Sequence, residues 1–260
     1  MLPPYKEFAP PNSIAHAVDA FWCFSSSRPS AQSKDSLHHR VLPDGCMDLI
    51  FCFQHSASNA GISNPSLIIH GPTDRFNLVD IKPTTEFVGV RFKPGMAGVF
   101  LDLSPLGLFQ QEIRVQDCLS NLVPLFDQLC NCGSTEEALS ILQRTMLELQ
   151  KVGCRYDIPL WSHKALSLIS TSYGQMPVSR VAETVGVSER TLRRGITAAV
   201  GFPPKVLARI LRFQRVITLL RSQDTPDLCS IAFESGYADQ AHMGREFQEF
   251  SGLTPTAFIE

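Results

Sequence analysis

Val178–Ile196 reads VSRVAETVGVSERTLRRGI, and its spacing decides what the C-terminal part of the chain is. Val178, Val181 and Val185 recur every three to four residues, so they share one face of a short helix. Ala182 is small where two helices must approach closely. Gly186 follows the last periodic residue, where a backbone leaving a helix often takes positive φ. Ser188 is a natural N-cap for a second helix that turns Leu192 and Ile196 inward and Glu189, Arg190, Thr191, Arg193 and Arg194 outward. This is the grammar of a helix-turn-helix, and arginines on the outer face of its second helix suit entry into a DNA major groove. A small helical hairpin with merely solvated arginines is the competing reading.

The phrase returns further along the chain. Ile231, Ala232, Gly236 and Tyr237 match Val181, Ala182, Gly186 and Val187 at an offset of 50, and Met243, Phe247, Gly252 and Pro255 match Leu192, Ile196, Gly201 and Pro204 at 51. One extra residue at the second turn explains the slip, and the register holds after it. An internal repeat of this kind predicts two tandem helix-turn-helix units. Between them Val206, Ile210, Phe213, Ile217 and Leu220 form a helical stripe flanked by Lys205, Arg209, Arg212, Arg215 and Arg221, which reads as a long connecting helix. Two recognition helices about one DNA turn apart, roughly 34 Å, reach successive major-groove faces on one side of a duplex.

Charge divides along the same lines. The chain carries 23 Lys/Arg against 25 Asp/Glu, which hides the asymmetry: residues 178–221 hold nine against two, residues 222–260 one against seven. The first unit and the connecting helix therefore carry the electrostatic footprint expected of phosphate contact, and the second unit is acidic.

Trp161–Glu260 resembles the DNA-binding domain of the AraC/XylS family of transcriptional regulators, through VAETVGVSERTLRR, ARILRFQRVITLL and IAFESGYADQAHMGREFQEFSGLTP. The resemblance implies a seven-helix, two-unit DNA-binding domain attached to a sensing or dimerising one. It implies a promoter duplex as partner, with a small-molecule effector, RNA polymerase and a second copy of the chain as further partners, and it calls for no cofactor. The second recognition helix departs from the pattern: it carries Ala241, Met243 and Gly244 and a single arginine, Arg245.

The remainder bounds the other half. A charged fraction of 18% with 44% hydrophobic residues argues for packed structure rather than disorder. There is no apolar run long enough to span a membrane and no secretory pattern at the start, so a cytoplasmic protein is expected. Residues 1–16 read as an extended lead-in. Val18–Phe24, Leu37–Leu42, Met47–Phe53, Leu67–His70, Phe76–Ile81 and Glu86–Phe92 read as short strands, with Pro43-Asp44-Gly45 a turn and polar loops at 25–36 and 54–65. Such a series suggests a β-sandwich or barrel. Met96–Leu101 and Pro105–Phe109 look like helical turns, Leu119–Leu129 is amphipathic, and Ser134–Glu137 caps a helix that could pair two copies or pack on its own strands. The expected organisation is α+β: a β-rich sensing or dimerising domain with C-terminal helices over 1–152, a linker over 153–160, and the DNA-binding domain over 161–260. VLPDGCMDLIF and FVGVRFKPG give the N-terminal half a resemblance to a poorly characterised cupin-like domain.

Candidate site residues follow. Arg190 and Arg194, one helical turn apart, suit guanine edges, and Thr191 a base edge or thymine methyl. Arg193, Lys205, Arg209 and Arg212 suit phosphates, which fix register without reading sequence. Ser188 and Glu189 open the same helix, while Asp239, Gln240, His242 and Arg245 are their counterparts in the second unit. For a small molecule, Trp22, Phe51, Phe53, Phe87 and Phe92 could line a pocket with His39, Asp44 or Arg91 as polar anchor. No metal site is expected: a metal-binding cupin strand needs two histidines separated by one residue, and His38 and His39 are adjacent, so they point to opposite sides of a strand. The eight cysteines, Cys23, Cys46, Cys52, Cys118, Cys130, Cys132, Cys154 and Cys229, form no CxxC pair and read as reduced thiols. Two rival readings stand beside the regulator: one without a ligand, acting through protein contacts, and a cupin-type enzyme carrying a DNA-binding tail.

Overall fold

The computed structural model describes residues 5–26, 37–55, 62–152 and 158–259. Residues 27–36 of the expected 25–36 loop, 56–61 of the expected 54–65 loop, and 153–157 of the expected linker, with Cys154, lie outside the described residues. The N-terminal half is built on a six-stranded antiparallel sheet of β1 (Tyr5–Phe8), β2 (Val18–Ser25), β4 (Met47–His55), β5 (Ile62–His70), β7 (Thr85–Phe92) and β8 (Glu112–Arg114), in the order β1-β2-β7-β4-β5-β8. β3 (Leu37–Val41) and β6 (Asn77–Ile81) pair as a separate antiparallel ribbon.

Alternation along the central strands sets the two faces of the sheet. Leu49, Phe51 and Phe53 of β4 and Val88, Val90 and Phe92 of β7 are fully or almost fully buried. They face α3 (Thr135–Val152), preceded by α1 (Val115–Cys118) and α2 (Val123–Cys130). The opposite face carries Trp22, Phe24, Ile50 and Phe87, which pack with Ile81 of the ribbon as a second cluster. Gly89 sits on this face because the Trp22 indole lies on it: a Cβ there would come within 2.4 Å of the ring.

Three expectations change here. β1 is missing from the strand series because all four of its side chains are exposed, so no alternation marks it; its pairing with β2 defines it. β4 and β5 run into the expected 54–65 loop, reaching His55 and starting at Ile62. The strands flanking Pro43-Asp44-Gly45 do not pair with each other: the turn, with Gly45 at φ 82°, carries the chain from ribbon to sheet. The capped helix packs on its own sheet, burying Ala138, Leu139, Ile141, Leu142 and Met146. Ser134 accepts the Glu137 N–H at 3.1 Å, and Glu137 in turn accepts the Gly133 N–H at 2.7 Å.

Among the described residues the C-terminal half has seven helices: α4 (Leu160–Thr171), α5 (Val178–Val185), α6 (Glu189–Val200), α7 (Pro204–Arg221), α8 (Leu228–Glu234), α9 (Gln240–Ser251) and α10 (Pro255–Ile259). The repeat extends to backbone detail. Gly186 and Gly236 have φ of 73° and 77°, and Gly201 and Gly252 end α6 and α9 in the left-handed region at 94° and 72°. Ser188 caps α6 by accepting the Thr191 N–H, and Asp239 caps α9 by accepting that of His242. Each such cap contributes roughly 1 kcal/mol. Among the described residues the apolar cluster under the sheet is continuous with the core around α4, α6 and α7.

Candidate nucleic-acid interface and cavity

Leu192 and Ile196 are fully buried, so the opposite face of α6 is turned outward with Arg190, Arg193 and Arg194 exposed. Lys205, at the start of α7, is exposed as well. Among the described residues none of these four forms an ion pair. Thr191 and Ser188 share a hydroxyl hydrogen bond of 2.9 Å, and Glu189 is exposed in the first turn.

Arg209 and Arg212, both expected at phosphates, are engaged by carboxylates of the second unit. Arg209 donates from Nε to Glu246 Oε2 at 2.7 Å and from Nη2 to Glu249 Oε2 at 2.6 Å. Arg212 Nη2 lies 3.8 Å from Glu246 Oε1, which also accepts the Tyr237 hydroxyl at 2.9 Å. The two guanidinium groups also lie over the Phe250 and Tyr237 rings. Glu246 is 5% exposed, so these partners are what make a buried carboxylate tolerable. Arg215 completes the row, 4.0 Å from Glu234 on α8. Three arginines of the connecting helix are thus paired with three glutamates of the second unit. Linear charge counting cannot see that Arg209, Arg212 and Arg215 face Glu246, Glu249 and Glu234.

On the second recognition helix Gln240 and Arg245 are exposed, and the Gln240 amide oxygen accepts the Cys229 thiol at 3.1 Å. His242 is half-buried, its ring edge-on to Tyr237 at 5.3 Å. Asp239 serves as the helix cap.

A cavity of about 1690 Å³ lies between the sheet, the ribbon and helices α4 and α7. His39, Asp44 and Arg91 all line it, as do Asp48, Asp19 and Glu7. Arg91 and Asp48 are direct partners across β7 and β4, so both project to the ribbon side. Arg91 Nη1 donates to Glu7 Oε1 at 3.1 Å, and its Nε lies 3.3 Å from Asp44 and 3.6 Å from Asp48. The Trp22 indole N–H donates to Asp48 at 2.8 Å. Burial pushes the Asp48 carboxyl up to about 7; Asp44 and Asp19 act in the same direction, while Arg91 and the indole hydrogen bond oppose them. Burial lowers the His39 pKa, and its ring sits 5.3 Å from Phe24. His38, on the other side of the strand, bonds Asp80 at the surface.

Two expectations about the lining are corrected. Phe51, Phe53 and Phe92 lie in the core under the opposite face of the sheet, and the aromatic rings at the cavity are Tyr5, Phe24 and Phe258. Asp48, the most perturbed carboxyl, was missed; its clue was its position among the outward residues of a strand whose other neighbours are apolar. Cys46 lines the cavity as well, and burial, followed by Asp44, raises its pKa well above the ordinary value, so it is a thiol. Burial, with the Asp127 and Glu137 charges after it, likewise raises Cys130 and Cys132. The seven described cysteines are free. Among the described residues no helix is long and apolar enough to cross a membrane.

Two family models match parts of the chain. Residues 6–114 match the model of a domain of unknown function (DUF6597), and residues 181–260 that of a helix-turn-helix domain. No curated protein matches the chain. Among solved structures it is similar to the C-terminal domain of AraT, a response regulator from Geobacillus stearothermophilus, at 25% identity and TM-score 0.37, over 39% of this chain and 85% of that one. It is similar to an AraC-type transcriptional regulator from Chromobacterium violaceum at 25% identity and TM-score 0.34, over 37% and 86%. ToxT from Vibrio cholerae aligns over 92% of this chain and 97% of its own, at 13% identity and TM-score 0.47.

Proposed function

We propose that the chain is a DNA-binding transcription regulator of the AraC type, that α5–α6 is its dominant reader and that its β-rich half, residues 1–152, holds an effector in the cavity against α4 and α7. The arginines carry the first part. Those on α6 stand clear, whereas those along α7 are spent on the second unit. Arg190 and Arg194 bond guanine edges, with Thr191 beside them. Arg193 and Lys205 bond phosphates, and the α6 N-terminus with Ser188 and Glu189 sits at the groove edge. Gln240, His242 and Arg245, held by the Asp239 cap, place the second helix with fewer base contacts. In this reading the chain acts on promoter DNA without catalysing a reaction, and RNA polymerase and a second copy of the chain are its protein partners.

Arg194→Ala is expected to weaken operator binding by about 1–3 kcal/mol, roughly 5- to 150-fold, and Arg245→Ala by less. Gel-shift titration at fixed salt reads both, and equal losses would refute the asymmetry.

The cavity carries the second part. Glu7, Asp44 and Asp48 already surround Arg91, so an added anion meets carboxylates. Leu166, Leu211, Ile217 and Leu220 supply an apolar wall on α4 and α7. A ligand with a hydrocarbon body and a cationic head fits both ends. Octylamine is therefore expected to raise the melting temperature of the full chain more than octanol does, with octanoate raising it least. The reverse order would assign the cavity to anions.

A further inference from the structure

Gly201 and Gly252 are equivalent positions in the repeat, each ending a recognition helix in the left-handed region. Both are covered by the β-rich half, and by the same short stretch of it. A Cβ at Gly201 would lie 2.8 Å from Pro72 Cγ and 3.0 Å from the Pro105 carbonyl oxygen. A Cβ at Gly252 would lie 2.6 Å from Phe76 Cζ and 2.7 Å from Arg40 Nη1. The β5–β6 loop therefore touches the end of α6 with its first residues and the end of α9 with its last. Arg40 ties the second contact: its Nη1 donates to the Ser251 carbonyl at 2.5 Å, and its guanidinium lies 4.6 Å over the Phe76 ring.

The loop is braced rather than loose. Gly71 presses so closely on the Leu108 carbonyl that a Cβ there would lie 1.8 Å from its oxygen. The Gly71 N–H donates to Gln111 O at 2.9 Å, and Pro72 O accepts the Gln110 N–H at 3.0 Å. Gln110 Nε2 donates to Asp74 at 2.6 Å, and Phe109 from the bracing turn packs edge-on against Phe202 just after α6. One rigid support thus bears on both recognition helices, four loop residues apart, while α7 joins them from the other side.

We infer that the Pro72–Phe76 loop with Arg40 is a positioning element that fixes the separation of α6 and α9, and so sets the spacing of DNA sites the chain accepts. It rests on the two-unit DNA reading proposed above. The loop touches no base; it acts by holding the two helix ends. Arg40 and Thr73 also line the cavity, so a bound effector touches the support directly.

The test uses the full chain and duplexes in which the segments bound by the two units are moved apart or together by one or two base pairs. The wild-type chain is expected to prefer one spacing by tenfold or more. Phe76→Ala and Arg40→Ala should broaden that preference to within about threefold, while the affinity for the best duplex changes little. Phe76→Leu, which keeps apolar bulk against Gly252 and adds no atom beyond Cζ, should keep a narrower profile than Phe76→Ala. A variant that merely loosened the fold would weaken every duplex alike and leave the profile's shape intact, which overturns the inference. So does a wild-type profile that is flat with spacing. Loss of all DNA binding by the wild type would instead overturn the underlying reading.

Discussion

Glu246→Ala is expected to lower the stability of the chain by about 3 kcal/mol, the low end of what breaking a buried ion pair costs. The low end applies because the Arg209 side chain is 25% exposed and keeps Glu249 as a second partner. Alanine would leave Arg212 without its carboxylate and the Tyr237 hydroxyl without its acceptor. At roughly 2–4 °C per kcal/mol for a chain of this size, the melting temperature should fall by about 6–12 °C. Circular dichroism melts read this directly. A double replacement, Glu246→Met with Arg209→Met, should lose less than the single alanine change, because no charge is then left unpaired. If the single change is silent, the row of arginines along α7 is decoration and the phosphate role returns to them.

The second large effect is a reversed pH dependence. An unfolded aspartate releases its proton near 3.8, whereas the folded Asp48 carboxyl holds its proton up to about 7. Between those values the folded state binds more protons than the unfolded one, so this group's contribution to stability is fullest below pH 4. It is lost as pH rises through 7, with a slope approaching about 1.4 kcal/mol per pH unit. Burial raises the Asp19 carboxyl in the same sense, so the difference between wild type and Asp48→Asn is what isolates the Asp48 effect. Urea denaturation from pH 4.5 to 8 should show the wild type losing ground to the variant as pH rises. A constant difference would mean that Arg91 keeps Asp48 ionised throughout.

The repeat was legible because both copies must meet the same steric demands. Each needs a small residue where the helices approach, a glycine with positive φ at the turn, and an oxygen-bearing cap before the recognition helix. These demands are local and leave local marks. The pairing of Arg209 and Arg212 with Glu246 joins positions 37 and 34 residues apart, and no spacing rule marks it. The strands were legible where one face is buried, as in MDLIFCF and EFVGVRF. β1 was not, because an exposed edge strand owes its existence to its neighbour's hydrogen bonds rather than to its own side chains. Arg91 is legible as a polar residue on an apolar strand, His39 by its place on β3, and Asp44 by the turn that precedes β4. Asp48 stands in the same pattern as Arg91, but its burial depends on Trp22 from another strand. Strand parity divides the aromatics: Phe51, Phe53 and Phe92 point into the core under one face, and Trp22, Phe24 and Phe87 lie on the other.

The unbroken apolar core from the sheet to α7 has a consequence for building hybrids. Regulators are often recombined by grafting one sensing half onto another reading half at the connecting segment. In this chain such a graft cut at 153–160 would strip the cover from Phe202, Leu207 and Leu166 and leave Gly201 and Gly252 facing a foreign surface. A hybrid that keeps the reading half must therefore carry over the seat for it, Arg40, Pro72, Phe76, Pro105 and Phe109, along with the helices. The exchangeable piece is the cavity lining; the unit of inheritance is larger than the sequence repeat that announces it.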